Sequence, residues 1–268
     1  MDYILPETNL MQIKTMEKLG NNGLFVIEPL SPGYGLTIGN SLRRVLLSSL
    51  EGAAISWVKI DGVTHEFATI PGVREDAVEI ILNLKTLRFR LEGNDPVNLN
   101  LSVKGPKEVT AADFNKNANC EIVNKDTFIA SLSKGNTLNI EIHVEHGRGY
   151  VPVERRREDK LPLGTIAVDS IFTPVKKVHY EVENTRVGGM TNFDKVTFEI
   201  TTDGSVDPEI ALKTAAGILV EHFSLVQQAF TEETAKPKKD KTESKEEVEE
   251  EPVAEAKKAK KTTKKTAK

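Results

Sequence analysis

Two spacings of apolar residues alternate along the chain and divide it into strands and helices. "GLFVIEPL" (23–30) reads as a strand. Leu42, Val45, Leu46 and Leu50 then recur at helical spacing, with Leu47 widening the face, so a helix is expected from an N-cap at Thr37 to about Leu50, ended by Gly52. Period-two stretches follow at 54–61, 64–70, 87–92, 97–105 and 137–146, rich in Val, Ile, Thr and aromatic residues. A helix over about 73–85 interrupts them, with Ala77, Ile80, Ile81 and Leu84 on one stripe. More strand-like sequence occupies 164–187 and 194–204. The mixture predicts an α+β fold.

The clearest element is the last helix. Asp207 suits its N-cap, Pro208 the first position, where no amide donor is needed, and Glu209 the positive end of the dipole. Leu212, Ala215, Ala216, Leu219, Phe223, Val226 and Phe230 follow the amphipathic pattern, while Ile218 and Leu225 carry apolar character beyond one stripe. Such a helix needs more than one partner. Either the domain buries both faces or another subunit covers one, and the pattern leaves both open.

Composition narrows the class. The 268 residues are 38% hydrophobic, enough for a core, and no stretch reaches the roughly 18 apolar residues of a spanning helix. The start, "MDYILPETNL", has acids where a secretion signal carries positive charge, so a cytoplasmic protein is expected. One cysteine, Cys120, excludes an internal disulfide and a cysteine-based zinc site within the chain. From Thr231 the composition shifts to Lys, Glu, Ala, Thr and Pro without an aromatic residue, predicting a disordered tail. An acidic block (246–251) precedes a basic end (257–268), which reads as a solubilising tail or as a weak, salt-sensitive attraction to nucleic acid.

Candidate chemistry is sparse. "PGYGLTIGN" places Gly33, Gly35 and Gly39 between a strand and a helix, but the spacing is one residue longer than the dinucleotide fingerprint, and no Lys-Ser/Thr pair follows as in a P-loop. The simpler reading is a tight turn plus a small residue where a helix packs closely. Asp61, followed by Gly62, reads as a turn rather than as a ribose-binding acid. Arg43 and Arg44 sit mid-helix about 100° apart, so at most one joins the apolar face. They are either solvated or a partner contact, a use for which arginine is enriched. His143 and His146, three apart on a strand, point to opposite faces and suit no metal. Residues 153–160, "VERRREDK", read as an exposed charged loop, and no Ser-His-Asp order or kinase motif is present. A nucleotide-binding enzyme and a stand-alone nucleic-acid-binding protein with a histone-like basic tail are the competing readings.

"GYGLTIGNSLRRVLLSSLEGAAI", "IDGVTHEFATIPGVREDAVEIILNLKTL", "GRGYVP" and "VDSIFTPVKKVHYEVENTRVG", in this order, closely resemble the alpha subunits of bacterial DNA-directed RNA polymerase, over about residues 5–230. The resemblance implies a discontinuous dimerisation domain, a sheet plus two long helices, made of 1–51 and 178–232. A mainly β insert domain (52–177) interrupts it, and a charged tail (233–268) follows. It implies a homodimer that serves as platform for the beta and beta-prime subunits, with omega and sigma in the full complex. By the same resemblance, Leu42, Val45, Leu46, Leu219, Phe223, Val226 and Phe230 belong to the dimer interface. Arg44, with Leu47 on the same helix, matches the position linked to beta binding. Lys85, Arg148 and Tyr150 align with surfaces facing the large subunits. Nucleotidyl transfer, with magnesium, is implied for beta-prime, and no catalytic residue, cofactor or metal ligand for this chain. DNA would be met through the assembled, nucleoid-associated enzyme or weakly through the basic tail. Where relatives continue into a small helical DNA-binding domain, this sequence has the Lys/Glu/Ala tail instead.

Overall fold

The computed structural model describes residues 11–156 and 162–234, with side chains through Ala229. The opening residues 1–10, the second half of the 153–160 loop, the side chain of Phe230 and the tail from 235 lie outside the described residues. In chain order the elements are β1 (Gln12–Leu19), β2 (Asn22–Leu30), α1 (Tyr34–Ser48), β3 (Glu51–Ile60), α2 (Ala77–Lys85), β4 (Phe89–Leu91), β5 (Val97–Lys104), β6 (Lys107–Thr110) and β7 (Cys120–Ile122). Then follow β8 (Phe128–Leu132), β9 (Thr137–Arg148), β10 (Tyr150–Val151), β11 (Ile166–Ala167), β12 (Ser170–Ile171), β13 (Val175–Val187), β14 (Met190–Thr202) and α3 (Pro208–Thr234). The described residues up to Val226 belong to one compact unit, and from Gln227 the described chain is the closing turns of α3.

Two hydrophobic cores form. One sheet, β1-β2-β14-β13, is antiparallel throughout and carries α1 against β13 and β14. Its core joins Phe25, Ile27 and Leu30 of β2 and Val196, Phe198 and Ile200 of β14 to Leu42 and Leu46 of α1 and Ala211, Leu212 and Ala215 of α3. The other sheet, β5-β9-β3-β4-β7 with β11 beside β3, packs on α2 through the predicted stripe, Ala77, Ile80, Ile81 and Leu84. β5 alternates buried and exposed at every residue, as a half-buried strand should. β3 is buried continuously from Ala54 to Val58 because the 168–170 segment covers it, with Val168 N donating to Ser56 O and Ser170 Oγ to Ile55 O.

Several boundaries differ from the pattern. Helix α1 begins three residues before Thr37 and ends at Ser48, and Gly52 lies within β3, where a Cβ would run into the Phe172 carbonyl. Helix α2 starts at Ala77, its first turn held by Asp76, whose carboxylate accepts from Glu79 N at 2.8 Å. Residues 64–70 are no strand: Gly62, at φ +81°, turns the chain, and Phe67 is 76% exposed. The short strands β6, β7 and β8 and the wholly exposed β1 carry too little apolar alternation to be read beforehand.

Candidate functional site

The glycine turn holds an anion, but the anion is the chain's own. Gly33 N and Gly35 N both donate to Asp194 Oδ2 of β14, each at 2.9 Å, and that carboxylate is buried. The two amides that a phosphate would use at the α1 N-terminus are therefore occupied, which sets the nucleotide reading aside in favour of the tight, closely packed turn. Gly33, at φ +85°, takes the N-cap in place of Thr37, whose hydroxyl donates back to Gly33 O. Gly39 serves packing: a Cβ there would sit 2.6 Å from the Tyr180 ring.

On α1, Leu46 is fully buried and Leu42 nearly so, because both point into the chain's own core. Neither is free to contact a second copy, which corrects their assignment to an interface; Val45 is half-buried at the core's edge. Arg43 and Arg44 are both exposed, and Leu47 is 36% exposed beside them.

The C-terminal end of α1 leads into a contiguous belt. Thr173 Oγ1 donates to Leu47 O at 3.4 Å, and Gly149 faces Ser48 O closely enough that a Cβ would lie 3.7 Å away. Arg148 pairs with Glu51, the residue that opens β3. Tyr150 pairs across from Ile171, and both side chains are about half exposed. Lys85 is not a free surface cation: its ammonium lies 3.3 Å from Asp169 Oδ2, while Asp169 Oδ1 accepts from Val153 N at 3.0 Å. The Val153 amide foremost, with Lys85 and Tyr150, holds the Asp169 carboxyl below its ordinary range against an opposing desolvation penalty. Desolvation, with the Asp169 and Glu154 carboxylates, pushes the Tyr150 phenol up. The structure thus brings Leu47, Arg148, Tyr150 and Lys85 onto one belt, with Arg44 a turn earlier on α1. It also adds Asp169 and Glu51, which no local motif marks because their partners are far away in sequence.

Helix α3 touches the core only through its first half. Leu212 and Ala215 are buried and Leu219 is half-buried, whereas Val220, Phe223, Leu225 and Val226 are 57–66% exposed. Among the described residues, then, none covers its second face.

The remaining candidates are structural. His143 stacks on Trp57 with ring centroids 4.9 Å apart, and burial lowers its pKa, which the Glu145 and Glu141 carboxylates only partly offset. His146 meets Gly93 O. Arg156, expected in an exposed loop, is buried: its guanidinium pairs with Glu145 Oε1 at 2.7 Å and lies over the Phe172 ring. Among the described residues no group of three or more His, Cys, Asp or Glu converges as a metal site, and no helix is long and apolar enough to cross a membrane.

Comparison with known proteins gives a consistent result. Residues 58–173 match the RNA polymerase Rpb3/RpoA insert domain. A protein named DNA-directed RNA polymerase subunit alpha from Alkaliphilus metalliredigens is 53% identical over 203 residues, 76% of this chain and 64% of the relative. Proteins of the same name from Symbiobacterium thermophilum and Clostridium botulinum are each 51% identical, over 222 and 206 residues, covering 81% and 77% of this chain and 70% and 65% of the relatives. The chain thus spans about two thirds of the length of the curated relatives it matches.

Proposed function

The chain belongs to the family of bacterial DNA-directed RNA polymerase alpha subunits, and from that premise we propose that it is a non-catalytic assembly subunit. Two copies pair and offer a platform on which the beta and beta-prime subunits assemble, joined in the full complex by omega and sigma. Nucleotidyl transfer and its magnesium belong, in this reading, to the large subunits, and DNA is met through the assembled enzyme.

The observation that carries the reading is the distal half of α3. Exposing Val220, Phe223, Leu225 and Val226 together forgoes about 1.5–3 kcal/mol for each large side chain left wet. A second copy presenting the same helix covers them by an isologous contact. Leu219, Phe223, Val226 and Phe230 are the dimer residues in this account, with Val45 at its margin. The two hydrophobic cores support a division into a dimerisation domain and an insert domain, with the second boundary a few residues before 178, because Val175 and the start of β13 already belong to the first core.

Partner capture is assigned to the belt of Arg44, Leu47, Lys85, Arg148 and Tyr150. Arginine and tyrosine are the residue types enriched where protein contacts carry most of their energy, and Arg44 and Tyr150 are both exposed on this belt. In co-expression with the two large subunits, Arg44→Ala is expected to leave the dimer folded and to lower recovery of the beta subunit roughly tenfold or more, the effect of losing a contact worth over about 1.4 kcal/mol. Unchanged recovery would remove Arg44 from the interface, and an unfolded variant would make it structural.

A further inference from the structure

The chain passes between its two cores twice, at Leu50–Glu51 and over residues 172–175, and these crossings touch through Thr173 and Leu47. Two adjacent crossings define a hinge line, so what resists rotation about it is contact made elsewhere between the cores. Two arginines, Arg88 just before β4 and Arg90 within it, make such contacts with the loop that precedes α3. Arg88 Nε lies 3.5 Å from Asp203 Oδ2, and the Asp203 side chain is only 7% exposed. Arg90 Nε donates to Ser205 O at 3.1 Å and Arg90 Nη2 to Gly204 O at 3.3 Å.

Both ends of this contact are prepared. Arg88 Nη1 donates to Lys85 O and Leu87 O, and Arg88 N to Asn124 Oδ1, which fixes the guanidinium at the C-terminus of α2. Asp203 Oδ1 accepts from Ser205 N and Oγ, and Asp203 N donates to Pro174 O, which fixes the carboxylate. Gly204 adopts φ +95°, and its carbonyl is one of those that Arg90 reaches. A nearly buried carboxylate facing a pre-positioned guanidinium, with a second guanidinium on the adjacent carbonyls, is a directional contact between two bodies.

We propose that Arg88 and Arg90 clasp the 203–205 loop and set the angle between the insert core and α3. The clasp thereby fixes where the Lys85, Asp169 and Tyr150 cluster stands relative to the dimer helix. Lys85 ends α2, and its carbonyl holds Arg88 while its ammonium holds Asp169, so one residue joins the clasp to the belt. The consequence for capture rests on the function proposed above; the angle itself does not. Arg88, Arg90 and Asp203 act in this account as positioning residues, without touching the large subunits.

The test uses the full chain with spin labels on Lys104→Cys and Glu181→Cys, one exposed site beside each core, diluted into unlabelled chain. Cys120 is buried and its thiol is pushed up to about 11, so it stays unlabelled at neutral pH. The unaltered clasp and Arg88→Lys are expected to give one narrow distance distribution. Arg88→Ala is expected to broaden it and to lower capture of the large subunits roughly 3- to 30-fold while the dimer persists. Asp203→Asn, which keeps an acceptor for Ser205 but loses the charge, gives the same reading if Arg88→Ala fails to fold. A distribution as narrow in Asp203→Asn and in an Arg88→Ala, Arg90→Ala double variant as in the parent overturns the clasp. Broadening without loss of capture overturns its link to assembly. Failure of the unaltered chain to capture large subunits counts against the functional reading and leaves the distance result to decide the clasp.

Discussion

At the scale of single residues, the decisive feature is a carboxylate. Asp194 satisfies the first amides of α1 from a strand that is 161 residues away along the chain from Gly33. Replacing it by alanine leaves two amides at a helix N-terminus unpaired and is expected to cost about 1–2 kcal/mol, as for other lost caps. Asp194→Asn, which keeps an acceptor, is expected to cost less. Denaturant midpoints of the two variants check the order. The same distance explains why this contact is invisible in sequence: Gly33 at the N-cap and Gly35 in the first turn offer their amides, but the carboxylate that accepts from them cannot be seen locally. Leu42 and Leu46 differ from what the resemblance implies because both turn into the chain's own core, and the apolar stripe alone does not say whether it faces a core or a partner. The Asp169 and Tyr150 pair gives a pH test. A lowered carboxyl contributes stability above the ordinary range near pH 4 that is lost as pH falls through its lowered folded value, and a raised phenol contributes stability below about pH 10 that is lost above it. The pair therefore holds across neutral pH. In an NMR titration of labelled tyrosine, Asp169→Asn is expected to shift the Tyr150 midpoint downward; an unmoved midpoint would separate the two groups.

At the scale of elements, legibility follows periodicity. β5 and the α2 stripe are readable because one face of each is buried and the other wet. β1 is not, because it lies at a sheet edge with every residue exposed, so no alternation is imposed on it. Residues 64–70 alternate like a strand yet have no neighbour to pair with, and Gly62 and the Pro71-Gly72 turn bound them instead. α3 is the element whose sequence says most, since its surplus of apolar positions is what the fold leaves uncovered. Phe223→Glu is expected to leave the monomer's unfolding midpoint near its parent value and to weaken self-association roughly 30-fold or more, the effect of a lost interface anchor. Leu46→Ala, by contrast, is expected to cost about 2–5 kcal/mol of fold stability, because it empties a core position. Unfolding measured at low concentration, beside sedimentation, distinguishes the two.

At the scale of the whole molecule, the chain has a helix with an uncovered apolar half, a polar belt that ends at exposed Arg44, and a pair of arginines bridging the cores between them. The anion site at the α1 N-terminus is filled by Asp194, and His143 and His146 are engaged in a ring stack and a backbone contact. What the chain presents is surface, and the central claim is that the first of those surfaces joins it to a copy of itself. Sedimentation equilibrium of the isolated chain at micromolar concentration tests this most directly. A mass of two chains, falling to one in Phe223→Glu, is the predicted result, and a clean single-chain mass for the unaltered protein would contradict it.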